Sequence, residues 1–205
     1  MCGELRLESR GLYNPIGVYH PHFNDGVRAC STLDHALTHG VTTNSGKVLP
    51  GRSLVLAVRA PNLEHGCLLK HMRWGIAMKN NRLLYNARSE TILDKPTFSK
   101  PMLSIGAGGR GIIVVRAFRE GPGWFGLKDN KPFGLACVHN HTGFAVITCE
   151  ANRVVEPYKS RMPCILPARK WDGWLNEKLS PNKDNSLFTS SYLKPLNHKY
   201  MEQVA

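Results

Sequence analysis

No stretch of this sequence approaches the roughly 20 apolar residues that a membrane-spanning helix needs. Its first residues, Met1-Cys2-Gly3-Glu4-Leu5-Arg6, also lack the basic-then-apolar order of a secretory leader. Both absences point to a protein that is neither inserted in a membrane nor secreted. Cys-x-x-Cys spacing is missing as well: the six cysteines stand at 2, 30, 67, 137, 149 and 164, too dispersed for a zinc or dithiol motif. They read as reduced thiols, with Cys2 set apart by lying next to the initiator methionine. Acidic residues are scarce, 15 against 27 Lys plus Arg, for a formal charge of +12. Such an excess favours a polyanionic partner, nucleic acid before an anionic membrane surface.

The chain has 205 residues, 42% of them hydrophobic and 20% charged. That excludes disordered and fibrous classes and suits one domain better than two. Residues 10–30 are rich in Gly, Pro, His and Asn and read as irregular. Ser31 to His39 has the signals of a short helix, with Gly40 just past its end. Leu54–Val58, Ile112–Val115, Pro132–Val138 and Phe144–Thr148 are β-branched or aromatic runs between turn residues and predict strands. Beyond Pro167, the residues Trp171, Trp174, Leu175 and Leu179 fall at helical spacing. The polar segment 181–205 predicts an extended tail that touches the body through Tyr192 and Leu193, leaving residues 1–180 as the domain. Many strands and few helices predict a mostly antiparallel α+β domain.

Several local patterns invite a function and do not hold it. Ser104 to Gly111 is glycine-rich, but it lacks the Gly-Lys-Ser/Thr ending of a nucleotide loop and leads into a strand rather than a helix. It reads as a hairpin connection. The pairs His20/His22, His139/His141 and His35/His39 lack a third ligand at familiar spacing, so no metal and no cofactor is expected. Lys70, His71, Arg73 and Trp74, followed by Lys79, Arg82, Tyr85 and Arg88, interleave cations with rings. That mixture suits single-stranded nucleic acid, where bases stack on rings and cations follow phosphates. A solvated basic face with Trp74 in the core fits the same residues equally well.

Other segments are recognisable in order. Met1-Cys2-Gly3 opens the chain; Val48-Leu49-Pro50-Gly51, Trp74-Gly75, Asn86-Ala87-Arg88-Ser89-Glu90-Thr91 and Lys95-Pro96-Thr97-Phe98 follow. Arg110 to Glu120, Phe144 to Asn152 and Arg161-Met162-Pro163-Cys164-Ile165-Leu166 continue the series. Together they resemble the SOS response-associated peptidase (SRAP) family, over residues 1 to about 175. The resemblance implies a single α+β domain on an antiparallel, barrel-like sheet with a few short flanking helices. It also implies an activity: recognition of abasic sites in single-stranded DNA, a covalent bond to them through the N-terminal Cys, and associated strand cleavage. The family name preserves an older attribution of peptidase activity. The expected partner is single-stranded DNA with abasic sites, met by a monomer in the cytoplasm or nucleoid, or in a nucleus.

The chemistry explains why the cysteine must come first. An abasic deoxyribose equilibrates with its ring-opened aldehyde. An N-terminal Cys offers an amine of pKa about 7.7–8.0 and a thiol near 8.5. The amine condenses with the aldehyde to an imine, releasing water; the thiol adds to the imine carbon and closes a five-membered thiazolidine. An internal Cys has only an amide nitrogen, so Met1 has to be removed.

By its place in the resemblance, Glu120 is the expected acid/base, although a Glu between Arg119 and Gly121 reads by itself as a surface residue. Asn86 is expected to hold the sugar, Arg88 and Arg161 the flanking phosphates, and Pro50 and Trp74 the splayed bases. Four positions depart from the family. Lys159 stands where His is common, which predicts slower strand cleavage and crosslink reversal, because Lys titrates near 10.4. Glu4 replaces a usual Arg, and the usual Tyr-Glu-Trp is Arg119-Glu120-Gly121. Two other functions fit: a peptidase with Cys2 as nucleophile in its own maturation, and a DNA-binding module without chemistry.

Overall fold

The computed structural model describes residues 4–7, 46–59, 67–104, 109–180 and 183–204. The predicted helix at 31–39, the irregular 10–30 region, Cys2, Cys30 and the histidines at 20, 22, 35 and 39 lie outside them.

Two sheets share one core. Among the described residues the smaller has five strands, in the order β15-β10-β9-β1-β2, all antiparallel. They are β1 (Glu4–Leu7), β2 (Gly46–Val48), β9 (Ala117–Glu120), β10 (Gly123–Leu127) and β15 (Met201–Val204). The larger sheet follows the path β13-β12-β11-β8-β3-β4. It contains β3 (Ser53–Arg59), β4 (Cys67–Arg73), β8 (Gly109–Val115), β11 (Phe133–His139), β12 (Phe144–Glu150) and β13 (Arg161–Pro163). Two short strands join it off that path: β14 (Ile165–Leu166) beside β11 and β7 (Asn86–Arg88) parallel to β12. A small hairpin, β5 (Ile76–Ala77) with β6 (Leu83–Leu84), stands apart.

The four predicted strands are present. β11 and β12 are buried along nearly their whole length, which is why they read as continuous apolar runs rather than alternating ones. Phe118 of the small sheet meets Phe133 of the large one edge-on, ring centroids 6.3 Å apart, and Leu5, Phe118 and Phe125 have no exposed surface. The sheets remain open: among the described residues the larger ends at β13 and β4, the smaller at β15 and β2. The expected barrel is therefore an open pair of sheets.

Among the described residues, three short helices flank them. In α1 (Pro96–Leu103), Pro96 occupies the first turn, where its missing N–H costs nothing, and Phe98 and Met102 face inward one turn apart. The predicted C-terminal helix is shorter than its apolar spacing suggested: α2 (Trp171–Asn176) stops before Leu179, which packs on the core from outside the helix. Segment 181–205 differs most from expectation. It contains α3 (Ser186–Tyr192), which buries Phe188 against Trp174 at 5.5 Å, and β15, which pairs with β10. Leu193 and Met201 are buried too, so a few apolar residues spaced through a polar segment are enough to fold it onto the body.

Candidate active site

The N-terminal strand is held by β9. Their register sets Glu4 opposite Arg119 and Leu5 opposite Phe118. Successive strand residues face opposite sides, and Glu120 therefore shares the inward side of Phe118 while Arg119 points out. Glu120 is accordingly 1% exposed, not a surface residue. The parity with Phe118 was visible in the sequence and outweighs the polar neighbours on either side. Burial pushes the Glu120 carboxyl up to about 7, against the pull of the positive charges of the chain's amino terminus and of Lys159. A carboxyl near neutrality can both donate and accept a proton at working pH.

The hairpin turn after Glu120 explains the neighbouring Gly. Gly121 has φ +56°, and a Cβ there would lie 3.1 Å from the carbonyl oxygen of Tyr158. A larger residue would push the 153–160 connection away. That connection is held from two further directions: the Tyr158 ring sits edge-on to Phe125 at 5.4 Å, and its hydroxyl donates to Gln203 Oε1 at 2.5 Å. Lys159 follows directly and its charge acts on Glu120.

The changed residue before Glu120 has a partner as well. Arg119 Nη1 donates to Glu4 Oε2 at 3.0 Å, and Glu4 is only 7% exposed. The two positions oppose one another in the ladder, so these departures form one compensated pair. The carboxylate of Glu4 is answered within the protein instead of repelling a phosphate, while Arg6 lies over the Trp124 ring at 4.8 Å.

A second group of residues lies on the β7–β12–β13 ladder. Asn86 is half-buried beside Val146, and its Oδ1 is buried with no hydrogen-bond partner among the described residues. An amide oxygen in that condition is an acceptor awaiting a donor. Arg88, two residues on and on the same side, is exposed. Arg161 is not the free phosphate ligand that was expected. Its guanidinium grips Glu90 with two bonds of 3.1 and 2.9 Å and donates to the Thr148 carbonyl at 2.6 Å. Burial would raise the Glu90 carboxyl, but Arg161 overrides it and the net shift is downward. Arg161 thus rivets the Asn86–Thr91 segment to the sheet. Lys159, two residues before Arg161, joins this group to Glu120 through the chain.

Trp74 also departs from its expected role. It is fully buried, its indole N–H donates to the Tyr85 carbonyl at 2.9 Å, and its ring lies parallel to Phe144 at 6.4 Å. It offers no face to a base. Its backbone instead braces the Pro50 turn: Gly51 N–H donates to Trp74 O and Trp74 N–H to Arg52 O, each at 2.8 Å. Pro50 is half-buried, and the apolar surface at the tip is Leu49, 56% exposed. Lys70, His71, Arg73, Lys79 and Arg82 are exposed, so the interleaved stretch is a solvated basic face with its tryptophan in the core.

The remaining ionisable groups are less suited to chemistry. Cys67, Cys137, Cys149 and Cys164 are buried and unbridged, and burial raises the thiols of Cys137 and Cys164, which keeps them protonated. His139 is neutral, its pKa lowered to about 4 by burial and secondarily by Lys70. Among the described residues no three His, Cys, Asp or Glu side chains cluster to hold a metal, and no helix is long and apolar enough to cross a membrane.

The sequence profile of the SOS response associated peptidase (SRAP) family matches residues 24–204. The chain is 27% identical to the abasic site processing protein YoqW of Bacillus subtilis (strain 168), across 98% of this chain and 90% of that one. It is 32% identical to the abasic site processing protein YoaM of the same organism, across 76% of each. Among solved structures, a protein from Bordetella bronchiseptica superposes with a TM-score of 0.68 at 19% identity, covering the whole of both chains. One from Bacteroides thetaiotaomicron gives 0.65 at 17% identity over 98% of this chain and 90% of the other.

Proposed function

This chain belongs to the SRAP family, and we propose that it processes abasic sites in DNA, as its Bacillus relatives are named for doing, by bonding covalently to the lesion through Cys2. The observation that carries this reading is Glu120, a buried carboxyl titrating near 7 at the end of the strand that holds the N-terminal strand. Cys2 lies two residues before Glu4, and two residues of chain reach at most about 7 Å. Glu4 is opposite Arg119, the neighbour of Glu120. On this reading the short tether from Glu4 lets the Cys2 amine reach the acid.

With Met1 removed, the Cys2 amine attacks the ring-opened aldehyde. Protonated Glu120 gives its proton to the departing hydroxyl of the carbinolamine, and water leaves as the imine forms. The Cys2 thiol then adds to the imine carbon; its proton passes to the nitrogen, and the thiazolidine closes. Glu120 can shuttle that proton too, because both of its charge states are populated near neutrality. Asn86 Oδ1, buried without a hydrogen-bond partner among the described residues, accepts from a sugar hydroxyl. Arg88 and the exposed cations of β4 follow the phosphates, and Lys159 holds the phosphate or sugar nearest Glu120. Pro50 and the exposed Leu49 face the bases on either side of the gap. Single strands and junctions are the preferred substrates, since no base pair must be opened there.

The test is denaturing electrophoresis of Met-processed protein with a single-stranded oligonucleotide carrying one abasic site. A band that survives boiling, and is absent with Cys2→Ala and with undamaged DNA, supports the covalent reading. With Met1 shown to be absent by mass spectrometry, the lack of such a band refutes it. Salt-sensitive binding without a covalent band would identify a DNA-binding module instead.

A further inference from the structure

At the end of β10 away from Glu120 is a cleft of about 350 Å³. From Gly123 at the hairpin turn to Leu127 on the cleft wall is four strand residues, about 13 Å. The cleft is therefore separate from the candidate active site.

Its floor is apolar. Phe133, Ile165, Leu166 and Trp171 are buried there, and Leu127 and Leu196 are half-buried at its sides. Two donors of the wall are already engaged: the Trp171 indole N–H donates to Leu166 O at 2.9 Å, and the Lys128 N–H to Tyr200 O at 3.1 Å. The rim carries Lys128, Arg169 and Lys199, all exposed. Among the described lining residues the one carboxylate, Asp129, is 3.3 Å from Lys131. The ligand this chemistry selects has a bulky apolar group next to negative charge.

A nucleotide meets the second condition and not the first. The hydrogen-bonding edges of a base would enter a floor whose donors are spent, and burying polar groups without partners is unfavourable. A Phe or Leu side chain carries no such edges, and neighbouring Asp or Glu residues complement the three rim cations. We propose that this cleft docks an acidic segment of a partner protein through one large apolar anchor. The volume of about 350 Å³ falls within the range of ligand clefts, about 300–1,000 Å³.

Fluorescence polarisation with the full chain tests this. The probe is a labelled peptide, Asp-Asp-Glu-Asp-Leu-Phe, compared with the same peptide ending in Ser-Ser. Ala168, exposed on the rim, supplies the variant Ala168→Trp, which fills the cleft; Arg169→Glu reverses one rim charge. Thermal melting shows that each variant is folded. The expected result is saturable binding of the Leu-Phe peptide alone, weakened about tenfold or more by either variant. Crosslinking to an abasic oligonucleotide stays unchanged in Ala168→Trp, which separates this site from the one bearing Glu120. Absence of saturable binding overturns the proposal, as does binding that Ala168→Trp leaves intact. Displacement of the peptide by undamaged oligothymidylate, with Ala168→Trp weakening DNA binding in parallel, overturns it in favour of a nucleotide subsite.

Discussion

Replacing Glu120 by Gln tests the acid/base assignment and its physical cause together. The carboxyl binds its proton with a pKa of about 7 in the folded protein against an ordinary 4.5. Between those values the folded chain holds a proton that the unfolded chain has released, so the contribution of Glu120 to stability is complete below 4.5 and is lost as pH rises through 7. At about 1.4 kcal/mol per tenfold change in proton affinity, the full loss approaches about 3 kcal/mol. Gln has the same shape and does not titrate. Urea unfolding should therefore show the variant gaining on the wild type as pH rises from 4 to 7.5. With a slope of about 1–3 kcal/mol per molar, the two midpoints should separate by about 1–3 M over that range. Initial crosslinking rates on denaturing gels should fall about 10²-fold or more in the variant and lose their inflection near pH 7. A difference in urea midpoint that stays constant from pH 4 to 7.5 refutes the raised pKa. An unchanged rate with the stability effect intact refutes the role of proton shuttle and leaves Glu120 a buried acid.

Three other substitutions have defined outcomes. Lys159→His should speed strand cleavage and crosslink reversal near neutral pH, because an imidazole exchanges protons in that range; equal rates on a gel time course would refute this. Arg119→Ala removes the ion-pair partner of a carboxylate that is 7% exposed, and should cost about 1 kcal/mol given the exposure of Arg119 itself. Part of that cost should disappear in the double variant with Glu4→Gln, and strict additivity in the double-mutant cycle would refute the pairing. His139 should act oppositely to Glu120. The unfolded imidazole takes a proton near 6.5 and the folded one only near 4, so stability falls as pH drops through that interval. His139→Leu should flatten the acid limb of the urea-midpoint profile, and a parallel profile would refute it.

Local signals carried a good part of this architecture. The runs at Leu54–Val58 and Phe144–Thr148 are strands because β-branched and aromatic residues fill buried sheet positions. The burial of Glu120 was legible in principle, from its two-residue spacing to Phe118. Long-range pairing was not. Nothing near Glu4 in the chain announces that Arg119 will stand opposite it, so two departures from the family looked independent when the ladder makes them one. The same holds for Gly121, whose missing side chain makes sense only once the Tyr158 carbonyl is seen beside it. Arg161 and Glu90 are 71 residues apart, and a sequence shows each as a free charge. Trp74 misled because a ring among cations looks the same whether it lies in the core or in solvent. The C-terminal segment misled because its composition is polar on average, while a handful of positions do the packing.

The pairing of Glu4 with Arg119 spans 115 residues, and that distance sets an order of events during synthesis. A ribosome adding roughly 5–20 residues per second needs about 6–23 s to make the intervening chain. Throughout that interval the β9 side of the first strand has no partner. The ladder that sets Glu4 opposite Arg119 therefore closes late, and the inward carboxyl of Glu120 arrives beside the first strand only when β9 emerges.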